Sequence, residues 1–160
     1  MDLSKNNAPE DSEVYKEDRT LEEQFLKTDG RLNRLRYFKR NMFLLLVWIV
    51  ICVLITLLFS DDMGNLSSTG DVLVSVIAAG MLIPYYCLDV RRLHDMDKDS
   101  TLAKISFVLG LFMIFINDED PFNPSAAGLI VSSVNFIVIL YFLFVPGTKG
   151  ANKYGADPLG

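Results

Sequence analysis

Apolar residues in this chain are concentrated in four long blocks, and polar segments separate the blocks. A soluble protein of this length would show polar interruptions every few residues, because one face of each helix contacts water. The first block carries no charge over 18 residues, which corresponds to about 27 Å of helix. That length nearly matches the ~30 Å hydrocarbon core of a bilayer. The pattern predicts transmembrane helices over residues 42–59, 72–88, 102–116 and 129–145.

The basic residues indicate how these helices are oriented. All 15 Lys and Arg residues can be placed on one side of a membrane, with Lys104, near the start of the third block, reaching the same surface. The connectors 60–71 and 117–128 contain no basic residue and six acidic ones. This asymmetry is typical of a membrane protein with both ends in the cytoplasm. We therefore predict an all-α membrane protein, a bundle of four transmembrane helices with both termini cytoplasmic.

The third block gives the weakest of the four membrane signals. Residues 102–116 include Lys104, which leaves about 12 strongly apolar residues, a length that is also typical of a re-entrant segment. A full span is favoured for a topological reason. Without it, the acidic connector 117–128 and the basic carboxyl-terminal tail would not both lie on their favoured sides.

The polar amino-terminal segment differs in composition from the rest of the chain. Residues 1–30 are rich in Asp, Glu, Lys, Asn and Ser, which predicts a disordered acidic cytoplasmic tail ahead of a transmembrane domain over residues 31–160. A short surface helix over residues 20–27 is the alternative, since Leu21 and Phe25 are four residues apart. Asn33 is a suitable N-cap, so the first membrane helix is predicted to begin at the next residue.

Three polar motifs lie beside the cytoplasmic ends of the predicted helices. They read Gly30-Arg-Leu-Asn-Arg34, Arg91-Arg-Leu-His-Asp95 and Pro146-Gly-Thr-Lys-Gly-Ala-Asn-Lys-Tyr-Gly-Ala-Asp-Pro158. Their order and spacing resemble the YhaH-type family of small bacterial inner-membrane proteins, a family of unknown function. The resemblance implies a four-helix protein of the bacterial inner (cytoplasmic) membrane and supplies no established activity. The chain departs from the family's pattern in residues 96–102, which contain neither Gly nor Trp.

The three motifs together supply a candidate site at the cytoplasmic face. Arg91 and Asp95 are four residues apart and can pair on one face of a helix, and Asp89 and Arg92 have i, i+3 spacing on a neighbouring face. Turn residues in the last motif predict that it folds back onto the other two as an ordered polar cap. The alternative is a stop signal with lipid-facing lysines. A site for a lipid headgroup or another anion is assigned to Arg31, Arg34, Arg91, Arg92, His94, Asp95, Asn152, Lys153 and Tyr154.

Among the polar residues inside the predicted spans, Ser75, Ser132 and Asn135 are the candidate intramembrane polar residues. Asn135 is close to the middle of its span, where an amide must be hydrogen-bonded and is therefore expected to face another helix. Interhelical hydrogen bonding is one explanation of these residues. The alternative is a polar path for a small solute.

Composition and motifs exclude several classes of function. The net charge of −5 argues against nucleic acid as a partner. Cys52 and Cys87 both lie within apolar blocks, where packing explains them better than a disulfide or a metal site. The sequence contains no Walker loop, no Rossmann fingerprint, no nucleophilic triad motif and no zinc-ligand set. It therefore indicates no cofactor and no metal, and it gives no support to an enzyme.

The sequence thus predicts a small integral inner-membrane protein with a structural or interaction role. Its basic cytoplasmic face would contact anionic phospholipids or a protein partner, and a homo-oligomer is one form that such a contact can take. Two alternatives stay open. One is a component of a small-solute transporter or channel, and the other is a membrane enzyme that acts on a phosphorylated lipid at the Arg91–Asp95 face.

Overall fold

A computed structural model describes residues 15–61, 64–116 and 125–159 of the chain. These residues form an all-helical structure with three long apolar helices and a shorter apolar one. By length and composition, the long helices are able to cross a membrane. In chain order the helices are α1 (Leu21–Phe25), α2 (Arg34–Phe59), α3 (Ser68–Asp95), α4 (Thr101–Phe115) and α5 (Ala126–Phe144).

Helix α2 begins at Arg34, as the sequence predicts. Asn33 has an extended backbone, and its side chain accepts a hydrogen bond from the Arg36 amide, which satisfies one free donor of the first turn. The helix then continues for 26 residues, or about 39 Å. Because this exceeds the ~30 Å hydrocarbon core, the first turns of α2 extend beyond the apolar layer.

Helix α3 is the centre of the bundle and contacts each of the other four helices. It begins at the Ser67 cap, whose hydroxyl accepts a hydrogen bond from the Gly70 amide, and it includes Pro84. The helix continues past residue 88, where the apolar block ends, as far as Asp95. The motif from Arg91 to Asp95 is therefore helical, and most of it is buried.

Helix α4 has 15 residues, or about 22 Å, which is shorter than the hydrocarbon core. Its complete crossing of the membrane stays a prediction. Gly110 brings it close to α3, because a Cβ at this position would lie 2.7 Å from Leu82 Cδ2. Small residues of this kind let two membrane helices approach each other closely.

The buried core lies at one end of the bundle, where the three polar motifs meet. Leu32, Leu88, Leu93, Ala103 and Phe142 are all almost fully buried there. Elsewhere the helices expose large apolar side chains over most of their length. Such a surface is stable in contact with lipid, so these faces contact the bilayer.

The predicted tail and domain boundary fall partly outside the described residues, since residues 1–14 are not described. In the described part, Thr20 and Glu23 form a capping box that begins α1, and α1 contacts α3. The structure thus has a short helix where the alternative prediction placed one. The disorder of the tail and a domain boundary at residue 30 stay predictions. Residues 117–124 of the acidic connector also lie outside the described residues.

Candidate functional site

The site at the buried end of the bundle is organised around the Asp95 carboxylate at the end of α3. Asp95 Oδ1 accepts hydrogen bonds from Arg31 Nε at 3.3 Å and from Arg31 Nη2 at 3.2 Å. Asp95 Oδ2 accepts one from Arg92 Nη1 at 2.5 Å. At most 4% of each of the three residues is exposed. Two arginines and one carboxylate therefore form a buried ionic triad, in which neither oxygen of the acid is left without a partner.

Backbone carbonyls accept further hydrogen bonds from the two arginines of this triad. Arg92 Nε donates to the carbonyl of Phe142 at 2.7 Å, and Arg92 Nη2 donates to that of Val145. The last four carbonyls of a helix lack partners within the helix and carry its negative dipole end. Arg92 therefore closes the carboxyl end of α5, while Arg31 donates to the carbonyls of Thr148 and Gly150 at 2.6 and 2.5 Å.

The segment after α5 folds back over this triad. The Thr148 amide donates to the Asp95 carbonyl at 2.8 Å, and Asn152 Nδ2 donates to the His94 carbonyl at 2.9 Å. The rings of His94 and Tyr154 are stacked with centroids 3.8 Å apart. These contacts confirm the predicted polar cap, which we define as Arg31, Arg92, His94, Asp95 and residues 148–154.

A second buried carboxylate, Asp18, joins the amino-terminal segment to the same end of the bundle. Its Oδ2 accepts from Arg91 Nη2 at 2.7 Å and from Arg40 Nη2 at 2.8 Å. Burial raises the pKa of Asp18, but the hydrogen bonds from Arg91 and Arg40 outweigh burial and leave the pKa below its ordinary value. Because the folded pKa is depressed, this attachment is complete above the ordinary pKa of 3.8 and is lost as the pH falls further. Sequence analysis missed Asp18.

The predicted pairs along α3 are wrong. Arg91 pairs with Asp18 and not with Asp95, and Asp95 pairs with Arg92 one turn before it and with Arg31. Asp89 accepts a hydrogen bond from the Tyr37 hydroxyl at 2.8 Å instead of pairing with Arg92. Spacing along one helix allows a pair, but side chains from other helices compete for the same charges.

The remaining candidate residues of the anion site lie at the edge of the cap. Arg34 is exposed at the start of α2. Lys153 is 59% exposed and lies 3.9 Å from Asp97. Arg31, Arg91 and Arg92, by contrast, are buried and bonded to groups of the chain itself. The structure thus places the nine candidate residues at one end of the bundle and divides them into buried, half-buried and exposed groups.

The three intramembrane polar residues do not come together. The Ser75 hydroxyl donates to the carbonyl of Asp71 in its own helix at 2.9 Å, and Ser132 is exposed on α5. Asn135 lines a partly open cavity of about 410 Å³, and residues of α2, α3, α4 and α5 form its wall. Asp89 and Tyr37 also line this cavity. Among the described residues, no group of three or more His, Cys, Asp or Glu side chains is placed to hold a metal ion.

The fold and the site together define a small multi-pass helical membrane protein with a buried ionic cap. The chain belongs to the family described as "Protein of unknown function (DUF805)", which matches residues 25–156. All residues of the polar cap lie within the matched region. The predicted family of small inner-membrane proteins is thus confirmed at the level of DUF805, while membership of the YhaH type in particular stays a prediction.

Two curated relatives share part of the sequence. The inner membrane protein YhaI of Escherichia coli K12 is 32% identical over 76 residues, which are 48% of this chain and 45% of the relative. YhaI of Escherichia coli O157:H7 gives the same values. The chain thus matches slightly less than half the length of these relatives. No solved structure matches the chain. The protein is a small multi-pass inner-membrane protein.

Proposed function

We propose that this protein has a structural or interaction role in the inner membrane, and that its basic cytoplasmic face contacts anionic phospholipid headgroups. The observation that supports this role is the division of its basic side chains at the cap end. The buried arginines hold the cap together, whereas another set remains exposed around it. We define the basic rim as four of these exposed residues, namely Arg34, Lys39, Lys104 and Lys153.

Exposed cations at the edge of an apolar bundle suit the negative surface of a bilayer. Each basic residue close to an anionic membrane contributes about 1 kcal/mol of attraction. The buried Arg31, Arg91 and Arg92 make no such contribution, because their terminal guanidinium nitrogens are bonded to Asp18, Asp95 and backbone carbonyls. In this proposal, the cap fixes the ends of α3 and α5, and the basic rim binds the headgroups.

The proposed topology has four spans with both termini in the cytoplasm. It rests on the positions of the basic residues and needs α4 to cross the membrane in spite of its 15 residues. On a cysteine-free background, Asn65→Cys and a cysteine placed within residues 117–128 should react with an impermeant thiol reagent added outside spheroplasts. Lys98→Cys and Ala151→Cys should react only after the membrane is permeabilised. Labelling of residue 151 from outside would contradict an even number of spans.

The contact with anionic lipid can be tested by removing three of the four charges of the basic rim. The triple variant Arg34→Gln, Lys39→Gln, Lys153→Gln should lose preference for phosphatidylglycerol over phosphatidylcholine by about 10²-fold at low ionic strength, at about 1 kcal/mol per residue. Native mass spectrometry of protein released from mixed-lipid nanodiscs measures this preference from the lipids that are retained.

The matched control changes the same three side chains but keeps their three positive charges. Arg34→Lys, Lys39→Arg, Lys153→Arg should retain the preference for phosphatidylglycerol, since the attraction is between charges. An unchanged preference in the triple Gln variant would contradict a headgroup contact at the basic rim. Retention of a second copy or of another membrane protein in the same spectra would favour the protein partner instead.

Small-solute transport is a second candidate function, and the cavity inside the bundle is the observation that favours it. Asn135 and Asp89 place an amide and a carboxylate on the wall of a mostly apolar space. Polar groups inside a membrane bundle often mark the path of a solute. Uptake of a labelled solute into proteoliposomes would distinguish this function from a structural role. No contact among the described residues favours an enzyme that acts on a phosphorylated lipid.

A further inference from the structure

The Asp89 carboxylate lies inside the bundle, where the described residues give it no cationic partner. It is located on α3 between the buried residues Leu88 and Val90, and it lines the cavity. Its hydrogen bond comes from the neutral Tyr37 hydroxyl at 2.8 Å. In the part of the chain that the structure describes, no Lys or Arg forms an ion pair with it. A carboxylate at this depth requires a positive charge or a proton for stability.

The rest of the cavity wall suits an organic cation. Among the described residues, six aromatic rings and no basic side chain line the cavity. Aromatic faces attract organic cations through their negative electrostatic potential, and this attraction is strongest where water is excluded. An anion would meet a carboxylate and no compensating charge. The aromatic residues are Tyr37, Phe38, Tyr85, Tyr86, Phe107 and Phe142.

Two further polar groups of the wall are available to a ligand. The Ser106 hydroxyl is buried and makes no hydrogen bond to any described residue. Asn135 contributes an amide from the opposite helix, α5. A buried polar group without a partner costs free energy, and a ligand that supplies the partner recovers that cost. These groups would orient a ligand whose charge is held by Asp89.

We propose that this cavity binds a small organic cation, an amine or quaternary ammonium compound that carries an apolar group. The charged nitrogen lies against Asp89 and Tyr37, and the apolar group lies against the aromatic wall. The volume of about 410 Å³ falls within the range of about 300–1,000 Å³ that is common for small-molecule sites. A lipid acyl chain is the competing occupant, but it would leave the carboxylate without a counter-charge. This site is separate from the basic rim and goes beyond the proposed contact with anionic lipid.

A pair of probes that differ only in charge tests the proposal on the unmodified protein. Benzyltrimethylammonium is the cation, and neopentylbenzene is its neutral analogue, with carbon in place of nitrogen. Isothermal titration calorimetry is performed in nanodiscs of phosphatidylcholine, with empty nanodiscs as the blank. The zwitterionic lipid removes the anionic headgroups on which the proposed function depends. We expect saturable binding of one cation per protein and at least about tenfold weaker binding of the neutral analogue.

A matched pair of variants locates the site. Asp89→Asn removes the charge but keeps an oxygen that accepts from Tyr37, so it should weaken cation binding at least about tenfold. Asp71→Asn removes an exposed acid from the other end of the same helix and should bind as the unmodified protein does. The proposal is wrong if no saturable binding exceeds the blank, if the neutral analogue binds equally well, or if Asp89→Asn binds the cation with unchanged affinity. It is also wrong if native mass spectrometry shows a lipid that the cation does not displace.

Discussion

Asp95→Asn should open the polar cap while leaving the helices inserted in the membrane. The neutral amide cannot balance the charges of Arg31 and Arg92, and its NH₂ group would face one of them. Removing one partner of a buried ion pair costs about 3–5 kcal/mol, because the other charge is left buried. Amide hydrogen exchange at Thr148 and Asn152 should therefore accelerate by about 10²-fold or more. The Thr148 amide donates to the Asp95 carbonyl, and the Asn152 amide donates to the carbonyl of Gly155, directly after the cap.

Asp97→Asn is the matched control for this variant. Asp97 lies two residues further along the chain, and its pair with Lys153 is long, at 3.9 Å, and exposed. Exposed pairs contribute about 0–1 kcal/mol, so exchange should change by less than about fivefold. If exchange at Thr148 is already fast in the unmodified protein, or if the two variants behave alike, the ionic triad does not hold the cap.

The predictions that the structure confirms depend on local or strongly periodic signals. Asn33 was recognised as an N-cap because capping requires only one side chain and the amides of the next turn. The long apolar helices were evident because uncharged blocks of this length are rare in soluble proteins. The fold-back of the carboxyl-terminal segment follows from its turn residues and from the predicted topology, in which this segment and the motif that ends at Asp95 leave the membrane on the same side.

The pairing of charges could not be predicted from sequence in the same way. Arg31 and Asp95 are 64 positions apart, and Arg91 and Asp18 are 73 apart. Each pairing depends on the rotation of α3 about its axis and on the path of the segments that pack against it. Spacing along α3 favoured the pair of Arg91 with Asp95, which is geometrically possible and is not formed. Packing in three dimensions sets the rotation of α3, and local sequence patterns do not predict that rotation.

Asp18 and the cavity were missed for different reasons. Asp18 lies in an acidic segment whose composition is typical of disorder, so nothing distinguishes it from its acidic neighbours. A signal was nevertheless present, because a motif with adjacent Arg91 and Arg92 and a single Asp95 leaves one cation in need of a second acid. The cavity had no such signal, since it results from the distances between α2, α3, α4 and α5.

Gly147→Ala should also loosen the cap, and for a steric reason. A Cβ at this position would lie 2.1 Å from Asp95 Oδ2 and 2.6 Å from Asp95 Cγ. The carboxylate has no room to move away without lengthening its bonds to Arg31 and Arg92. Overpacking a tight site costs about 1–3 kcal/mol, so exchange at Thr148 should accelerate by about 10-fold to 100-fold, and thermal stability in detergent should fall.

A control and a double variant separate this clash from a general effect of alanine. Gly80→Ala adds the same methyl group within α3, where no described atom beyond the local helix backbone would lie within 4 Å of it. It should be neutral or stabilising because alanine favours helices. In an Asp95→Ala background, the atoms that the new methyl group would meet are absent. Gly147→Ala should then have almost no further effect on exchange, which is the non-additivity expected of two residues in contact. If the two effects add instead, Gly147 acts through its own backbone and not through the Asp95 carboxylate.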